Sequence, residues 1–325
     1  MMIARKLCLI GKVVCLLSGI NYFIGNPHAV KAQLVPGTGE KFHEVGDDFE
    51  EANWSWVPNL PKSSNNIDKQ VRYPSGAATN NRWYESLLRG QPDLVERVAT
   101  PEGGLPNSKG ALKLRSVQTG IPGSPSFKLQ QDDFIMNGNS RFGQTIQNNW
   151  SPNTVCRIYI PAFDQWERRT GSSVGFRIET ITHVMKPAPG KLFKKLGKVK
   201  TLEQAWPGMF IQLNSKADGA AKEDNAVFVI RANEYGNDFV AGPTITKAGW
   251  WTLGLSLTPD GRVHYYAAEG VNRLTAANHI ATTMPYGSPN LQMNTVFFNI
   301  MNGDNGKIWS TEWIIDDLEV FFVKR

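Results

Sequence analysis

Several stretches of the chain place hydrogen-bonding side chains on one side and apolar ones on the other. Arg177, Glu179 and His183 alternate with Phe176 and Ile178, and Gln212 and Asn214 alternate with Met209, Ile211 and Leu213. Arg262, His264 and Tyr266 oppose Val263, Tyr265 and Ala267, while Arg157 and Tyr159 oppose Cys156, Ile158 and Ile160. Thr295, Phe297 and Asn299 stand in the same relation to Val296, Phe298 and Ile300. Successive side chains of a strand point to opposite faces of its sheet, so each stretch has one greasy face and one polar face. A face carrying Arg, His, Gln, Asn and Tyr cannot be core without orphaned polar groups. Plain outer surface would hold more Lys, Glu, Ser and Thr and fewer aromatic rings. The combination suits a sugar, whose C–H faces stack on rings and whose hydroxyls bond amides and guanidinium groups. The candidate ligand-binding set is Arg157, Tyr159, Arg177, Glu179, Gln212, Asn214, His264 and Tyr266. The alternative is that these faces belong to opposite sheets or lie under loops, and then no shared groove exists.

The elements that must position these residues are short strands. The alternation predicts strands over Thr154–Pro161, Ser173–Val184, Gly208–Asn214, Ala226–Ala232, Trp250–Leu257, Arg262–Ala268, Thr295–Met301 and Trp313–Val323. Ala111–Val117 also alternates, and Trp83–Leu88 and Leu94–Val98 are brief amphipathic pieces. Thr258-Pro-Asp-Gly261 predicts a hairpin turn, because Pro sets φ, Asp bonds its own backbone and Gly supplies a positive φ. One short helix is expected within 270–285. Strands separated by turn signals, with few helices, argue for an all-β, antiparallel β-sandwich. The N-terminal third, rich in turn residues, is expected to wrap the sheets irregularly.

Composition sets the outer limits. Hydrophobic residues make up 41% of the 325 residues, enough for a substantial core. The formal charge is +6, but Arg5, Lys6, Lys12 and Lys31 precede any acid, leaving +2 from residue 33 onward. That balance speaks against a nucleic-acid partner. Residues 1–32 resemble an export signal in their basic start, their apolar run from Leu7 and the small residues Val30 and Ala32 before Gln33. The expectation is a secreted or periplasmic protein with no membrane attachment after cleavage; retention as an anchor is the alternative. Residues 33–45 are expected to be a flexible leader and 46–325 a single domain. Cys8 and Cys15 lie in the signal, so Cys156 remains alone and, sharing an apolar strand face with Ile158 and Ile160, is expected to be buried and inert. Lys186, Lys191, Lys194, Lys195, Lys198 and Lys200 form an acid-free basic segment, either a cationic lip or a solvated loop.

The chain's ends carry a family likeness. The opening Asp47-Asp48-Phe49-Glu50 and the closing Trp313-Ile314-Ile315-Asp316-Asp317-Leu318-Glu319-Val320-Phe321 resemble the concanavalin A-like lectin and glucanase jelly rolls, over roughly residues 45–325. The resemblance implies first and last strands side by side and a ligand lying across a concave sheet. Family glucanases carry Glu-x-Asp-x-x-Glu on one strand, whereas this chain has Glu179-Thr-Ile-Thr-His183, so the carboxyl pair of a retaining glycosidase is missing. A polysaccharide lyase acting on a uronic acid needs a Tyr or His base and Arg or amides to neutralise the carboxylate. For that chemistry the catalytic candidates are His264, Tyr266 and Arg177, although their spacing does not match alginate-lyase signatures. Asp304-Asn-Gly and Asp316-Asp317 have oxygens suited to a structural Ca²⁺; otherwise no cofactor is indicated, and scattered histidines argue against zinc. The expected partner is a polysaccharide or cell-surface glycan. Binding is favoured over cleavage, and a structural surface protein without a sugar site is the competing class.

Overall fold

The structure, a computed structural model, describes residues 33–187 and 198–324. Its strands, numbered along the chain, form two antiparallel sheets. The first runs β17 (His279–Thr283), β16 (Val263–Glu269), β15 (Gly249–Leu257), β9 (Asn153–Ile160), β19 (Trp313–Phe322), β6 (Gly110–Arg115) and β5 (Leu94–Ala99), with β1 (Glu40–Lys41) also against β19. The second runs β14 (Phe239–Ile245), β13 (Asn225–Arg231), β12 (Gly208–Asn214), β10 (Ser173–Pro187), β18 (Asn290–Asn302), β7 (Gln130–Met136), β4 (Trp83–Glu85), β3 (Ala77–Ala78) and β2 (Trp56–Val57). β11 (Lys198–Ala205) pairs with the distal half of β10, and β8 (Ile146–Gln147) with β18. The chain passes repeatedly from one sheet to the other, as from β9 to β10 and from β18 to β19. This is an all-β antiparallel sandwich of jelly-roll type.

One core fills the space between the sheets. Leu112, Cys156, Ile158, Leu253 and Tyr265 from the first sheet meet Phe134, Phe176, Met209, Phe228 and Phe298 from the second. These are the apolar members of the alternating stretches, so the polar members of the same strands point away from the core. Cys156 is fully buried, and burial pushes its thiol well above the ordinary range. Leu257 pairs with Val263 across Thr258-Pro-Asp-Gly261, forming the expected hairpin.

The last strand departs from simple alternation. Continued from Ile315, a period of two would drive Asp317, Glu319 and Phe321 into the core. Instead the pairing with β9 shifts register between Asp316 and Glu319, and Asp317 takes a φ of 45°. This bulge changes the phase, so Ile315, Leu318, Val320 and Phe322 all face inward and Asp317 and Glu319 turn outward. The chain's opening phrase completes the site: Asp47 pairs with Leu318 beside the bulge.

One expectation needs correction. The 33–45 segment is not a loose leader: Glu40 and Lys41 pair with Phe322 and Phe321, and Phe42 packs on Phe142 and Phe322. The short helix expected in 270–285 is a 3₁₀ turn at Ala276–Asn278, which leads into β17. The N-terminal third is irregular as expected, with only the short β2–β4 joining the second sheet and β5–β6 the first. Its loops are held by buried charges. Lys62 Nζ lies 2.6 Å from Asp132 Oδ2 and 2.9 Å from Asp93 Oδ1. Glu85, fully buried, accepts from Ser63 N at 2.6 Å and Asn59 Nδ2 at 2.7 Å. Residues 1–32 and most of the lysine segment, including Lys191, Lys194 and Lys195, lie outside the described residues.

Candidate functional site

The eight predicted ligand-binding residues do not share a groove. Arg157 and Tyr159 on β9 and His264 and Tyr266 on β16 belong to the first sheet; Arg177 and Glu179 on β10 and Gln212 and Asn214 on β12 belong to the second. Both sets point away from the common core, so they occupy opposite outer faces of the sandwich. The alternation was right about which side chains leave the core, but a period of two carries no information about which sheet a strand joins.

Of the four residues on the first sheet, Arg157, His264 and Tyr266 are buried and Tyr159 is half-buried. Tyr266 is fully buried against Val155, Leu274 and Val35, and Ser256 on neighbouring β15 donates to Leu34 O at 2.7 Å. The N-terminal segment and the 270–280 loop therefore roof this end of the sheet. Both ring nitrogens of His264 are engaged, Nε2 with Thr258 Oγ1 at 3.0 Å and Nδ1 with Thr282 Oγ1 at 2.8 Å. Burial and the nearby His279 push its pKa down to about 4. It is a neutral, satisfied structural histidine. Arg157 pairs with Glu319 at 3.1 Å, and Tyr159 packs edge-on against Trp250 at 5.4 Å. His264 and Tyr266 are thus unavailable as a catalytic base, and the lyase reading loses both of them.

The outer face of the second sheet is built differently. Arg177 lies flat across Gly208, with Phe210 and Phe297 on either side at 5.5 and 5.1 Å from its guanidinium carbon. Gly208 is required there: a Cβ would stand 2.7 Å from Phe176 O and collide with the Arg177 side chain. The guanidinium donates to Trp206 O through Nε at 3.1 Å and to Asn299 Oδ1 through Nη1 at 3.2 Å. Asn299 Nδ2 passes the chain on to Asp133 Oδ1 at 2.6 Å, which also accepts from Gln131 Nε2 at 2.9 Å. Burial and neighbouring Arg231 bring Arg177 down to about 10, and burial raises Asp133. An acid, two amides and a base are therefore fixed in one row across β7, β18 and β10.

Farther along β10 the face opens. Glu179 Oε1 accepts from Asn294 Nδ2 at 2.9 Å and from Gln204 Nε2 at 3.1 Å, and Gln292 Nε2 donates to Asn294 Oδ1 at 2.7 Å. Oε2 has no hydrogen-bond partner among the described residues. Next to this belt is a cavity of about 580 Å³ lined by Ile181, Leu202, Glu203, Gln204, Trp206 and Gln292. The half-buried Trp206 indole and the amides offer both a stacking surface and fixed donors and acceptors. Gln212 and Asn214 lie away from this end. Gln212 pairs with Ser173, four residues before Arg177 and so about 13 Å along the strand. Asn214 donates to Asn225.

Trp206, Gln204, Gln292, Asn294 and Asp133 escaped the sequence reading. Asn294 and Gln292 precede the stretch predicted as a strand, and Gln204 lies on β11, whose sequence Lys-Val-Lys-Thr-Leu-Glu-Gln-Ala reads as a solvated loop. Asp133 sits in Gln-Gln-Asp-Asp-Phe-Ile-Met, where consecutive polar residues hide the alternation.

The residues named for calcium have protein partners of their own. No group of three or more His, Cys, Asp or Glu side chains arranged for a metal occurs among the described residues. Asp304 instead closes a turn, with Oδ2 accepting from Ser126 N at 2.8 Å. Asp316 accepts from Ser108 Oγ at 2.9 Å and from Asp317 N at 2.8 Å. Burial raises Asp316 to about 7 and Asp317 to about 6.

No protein-family profile matches the chain, and no curated protein matches it. Solved structures of similar architecture include a carbohydrate esterase from the Shiga toxin-encoding bacteriophage phi24B, 12% identical over 83% of this chain and 100% of that one, with a TM-score of 0.41. An alginate lyase from Pseudomonas aeruginosa is 10% identical over 71% of this chain and 87% of its own, with a TM-score of 0.38. A GH131 β-glucanase catalytic domain from Podospora anserina is 9% identical over 74% and 84%, with a TM-score of 0.41.

Proposed function

We propose that this is an exported protein that binds polysaccharide on the outer face of its second sheet. The observation that carries the proposal is the Glu179 belt. One carboxylate oxygen is anchored by two amides, the other has no partner among the described residues, and a half-buried indole stands in the adjoining cavity. Carboxylate and amide groups held in fixed orientation accept and donate to sugar hydroxyls, while the indole covers a C–H face. Arg177, by contrast, directs three of its five N–H groups to Trp206 O and Asn299 Oδ1 and acts here as the frame that holds the face flat.

Titration of the purified protein against a panel of oligosaccharides tests the proposal. Trp206→Ala should weaken binding by about 1–2 kcal/mol, roughly 5- to 30-fold, with little change in melting temperature. Absence of binding to every glycan in the panel would leave the structural-surface-protein reading in its place. The export part has its own check: the mature protein should begin near Gln33, and recovery of residues 1–25 from exported material by mass spectrometry would refute it.

A further inference from the structure

β10 and β11 run on past the edge where β12 ends, paired from Thr180↔Ala205 to Pro187↔Lys198. Where this ribbon meets the start of β18 there is a cavity of about 330 Å³, lined by His183, Met185, Lys200, Ser288, Pro289 and Leu291 among others. In the ribbon's register Met185 pairs with Lys200 and His183 with Leu202. His183 and Lys200 are thus diagonal neighbours on one face, close enough for one ligand group to touch both.

The charges here are uncompensated. The ribbon's one acid, Glu203, is ion-paired with Lys186. No carboxylate lies within ion-pairing distance of Lys200 among the described residues, and residues 188–197 contain no Asp or Glu. Lys200, Met185 and Pro289 are exposed, so the cavity opens to solvent, and in it Lys200 stands beside a half-buried imidazole and Ser288.

We propose that this cavity is a second subsite, taking a carboxylate or sulfate group, and that the glycan bound by the protein is polyanionic. The inference rests on the sheet-face reading above and adds the ligand's charge to it. His183 lies four residues beyond Glu179 on the same strand, a separation of about 13 Å. One ligand reaching both places must be an oligosaccharide. The hydroxyl-reading belt and the anion-reading cavity then follow each other along β10.

The test is calorimetric titration of the purified protein with matched pairs: oligogalacturonate against its carboxyl-reduced form, and chondroitin sulfate oligosaccharides against desulfated ones. The expected result is at least tenfold tighter binding of one anionic member than of its neutral partner, weakening with added salt. Lys200→Glu and His183→Ala should erase that preference and leave neutral-glycan binding unchanged, whereas Trp206→Ala should weaken both. Equal affinity for the two members of every pair, with Trp206 still required, would overturn the charged subsite and leave the sheet-face proposal standing. No binding of any glycan overturns both. Lys200-dependent binding of phosphatidylserine vesicles without glycan binding would assign the cavity to a membrane surface and likewise overturn the inference.

Discussion

At the scale of single residues, two buried titratable groups pull the stability in opposite directions. Asp316 is held at about 7 in the fold against an ordinary 3.8, chiefly by burial and then by Asp317. Between about pH 4 and 7 the folded chain therefore keeps a proton that the unfolded chain has released, and stability falls as pH rises. His264 does the reverse. Its folded value of about 4 lies below 6.5, so the unfolded chain takes the proton first and stability falls as pH drops from 6.5 towards 4. The two trends oppose each other in the wild-type profile, so a difference measurement is needed. Asp316→Asn is always neutral and can still accept from Asp317 N. Its stability relative to wild type should rise between pH 4 and 7, by on the order of 2 kcal/mol, and then level off. Thermal melts of both proteins across that range check it; a constant difference would mean that Asp316 titrates normally.

At the scale of elements, the second sheet's outer face depends on glycines as much as on polar residues. Gly208→Ala places a methyl against Arg177 and 2.7 Å from Phe176 O, and Gly175→Ala would meet the Phe210 ring at 2.7 Å. Overpacking of this kind costs about 1–3 kcal/mol. Gly208→Ala should lower the denaturant midpoint accordingly and, by lifting Arg177 from its slot, disturb the neighbouring Trp206; an unchanged midpoint would show that the slot is not tight. The strands that were legible in the sequence are those with an uninterrupted period of two, such as Gly208–Asn214 and Trp250–Leu257. Those that were not have local reasons. β14 carries Gly242 and Pro243, as an edge strand can. β7 begins with four polar residues because Asp132 turns inward to Lys62 while Asp133 faces out to Asn299. The bulge at Asp317 cannot be seen by counting in twos, although the run of acids there hints that strict alternation would be costly.

At the scale of the whole molecule, the two outer faces have different fates because the N-terminal segment covers one of them. Gly37 N donates to Asn153 Oδ1 at 2.8 Å, Phe42 N to Val320 O at 2.9 Å, and Val35 closes over Tyr266. Of the residues chosen there from polar alternation, Tyr266 lies under this cover, His264 is held between Thr258 and Thr282, and Arg157 and Tyr159 are engaged by Glu319 and Trp250. Sequence alone showed polar faces; only the strand order showed that there are two and that one is roofed. The division makes a prediction about uncoupling. Removing residues 33–42 deletes β1 and the packing of Val35 and Phe42, and should cost on the order of 3–5 kcal/mol, seen as a lower melting temperature. The glycan affinity of the protein that remains folded should stay within about twofold of wild type, since that segment pairs with β19 and packs over the first sheet. Trp206→Ala should do the opposite, reducing affinity while the melt stays put. If the truncated protein lost affinity in proportion to its stability, or if uncovering Tyr266 and His264 created the binding, the ligand face would have to be reassigned to the first sheet.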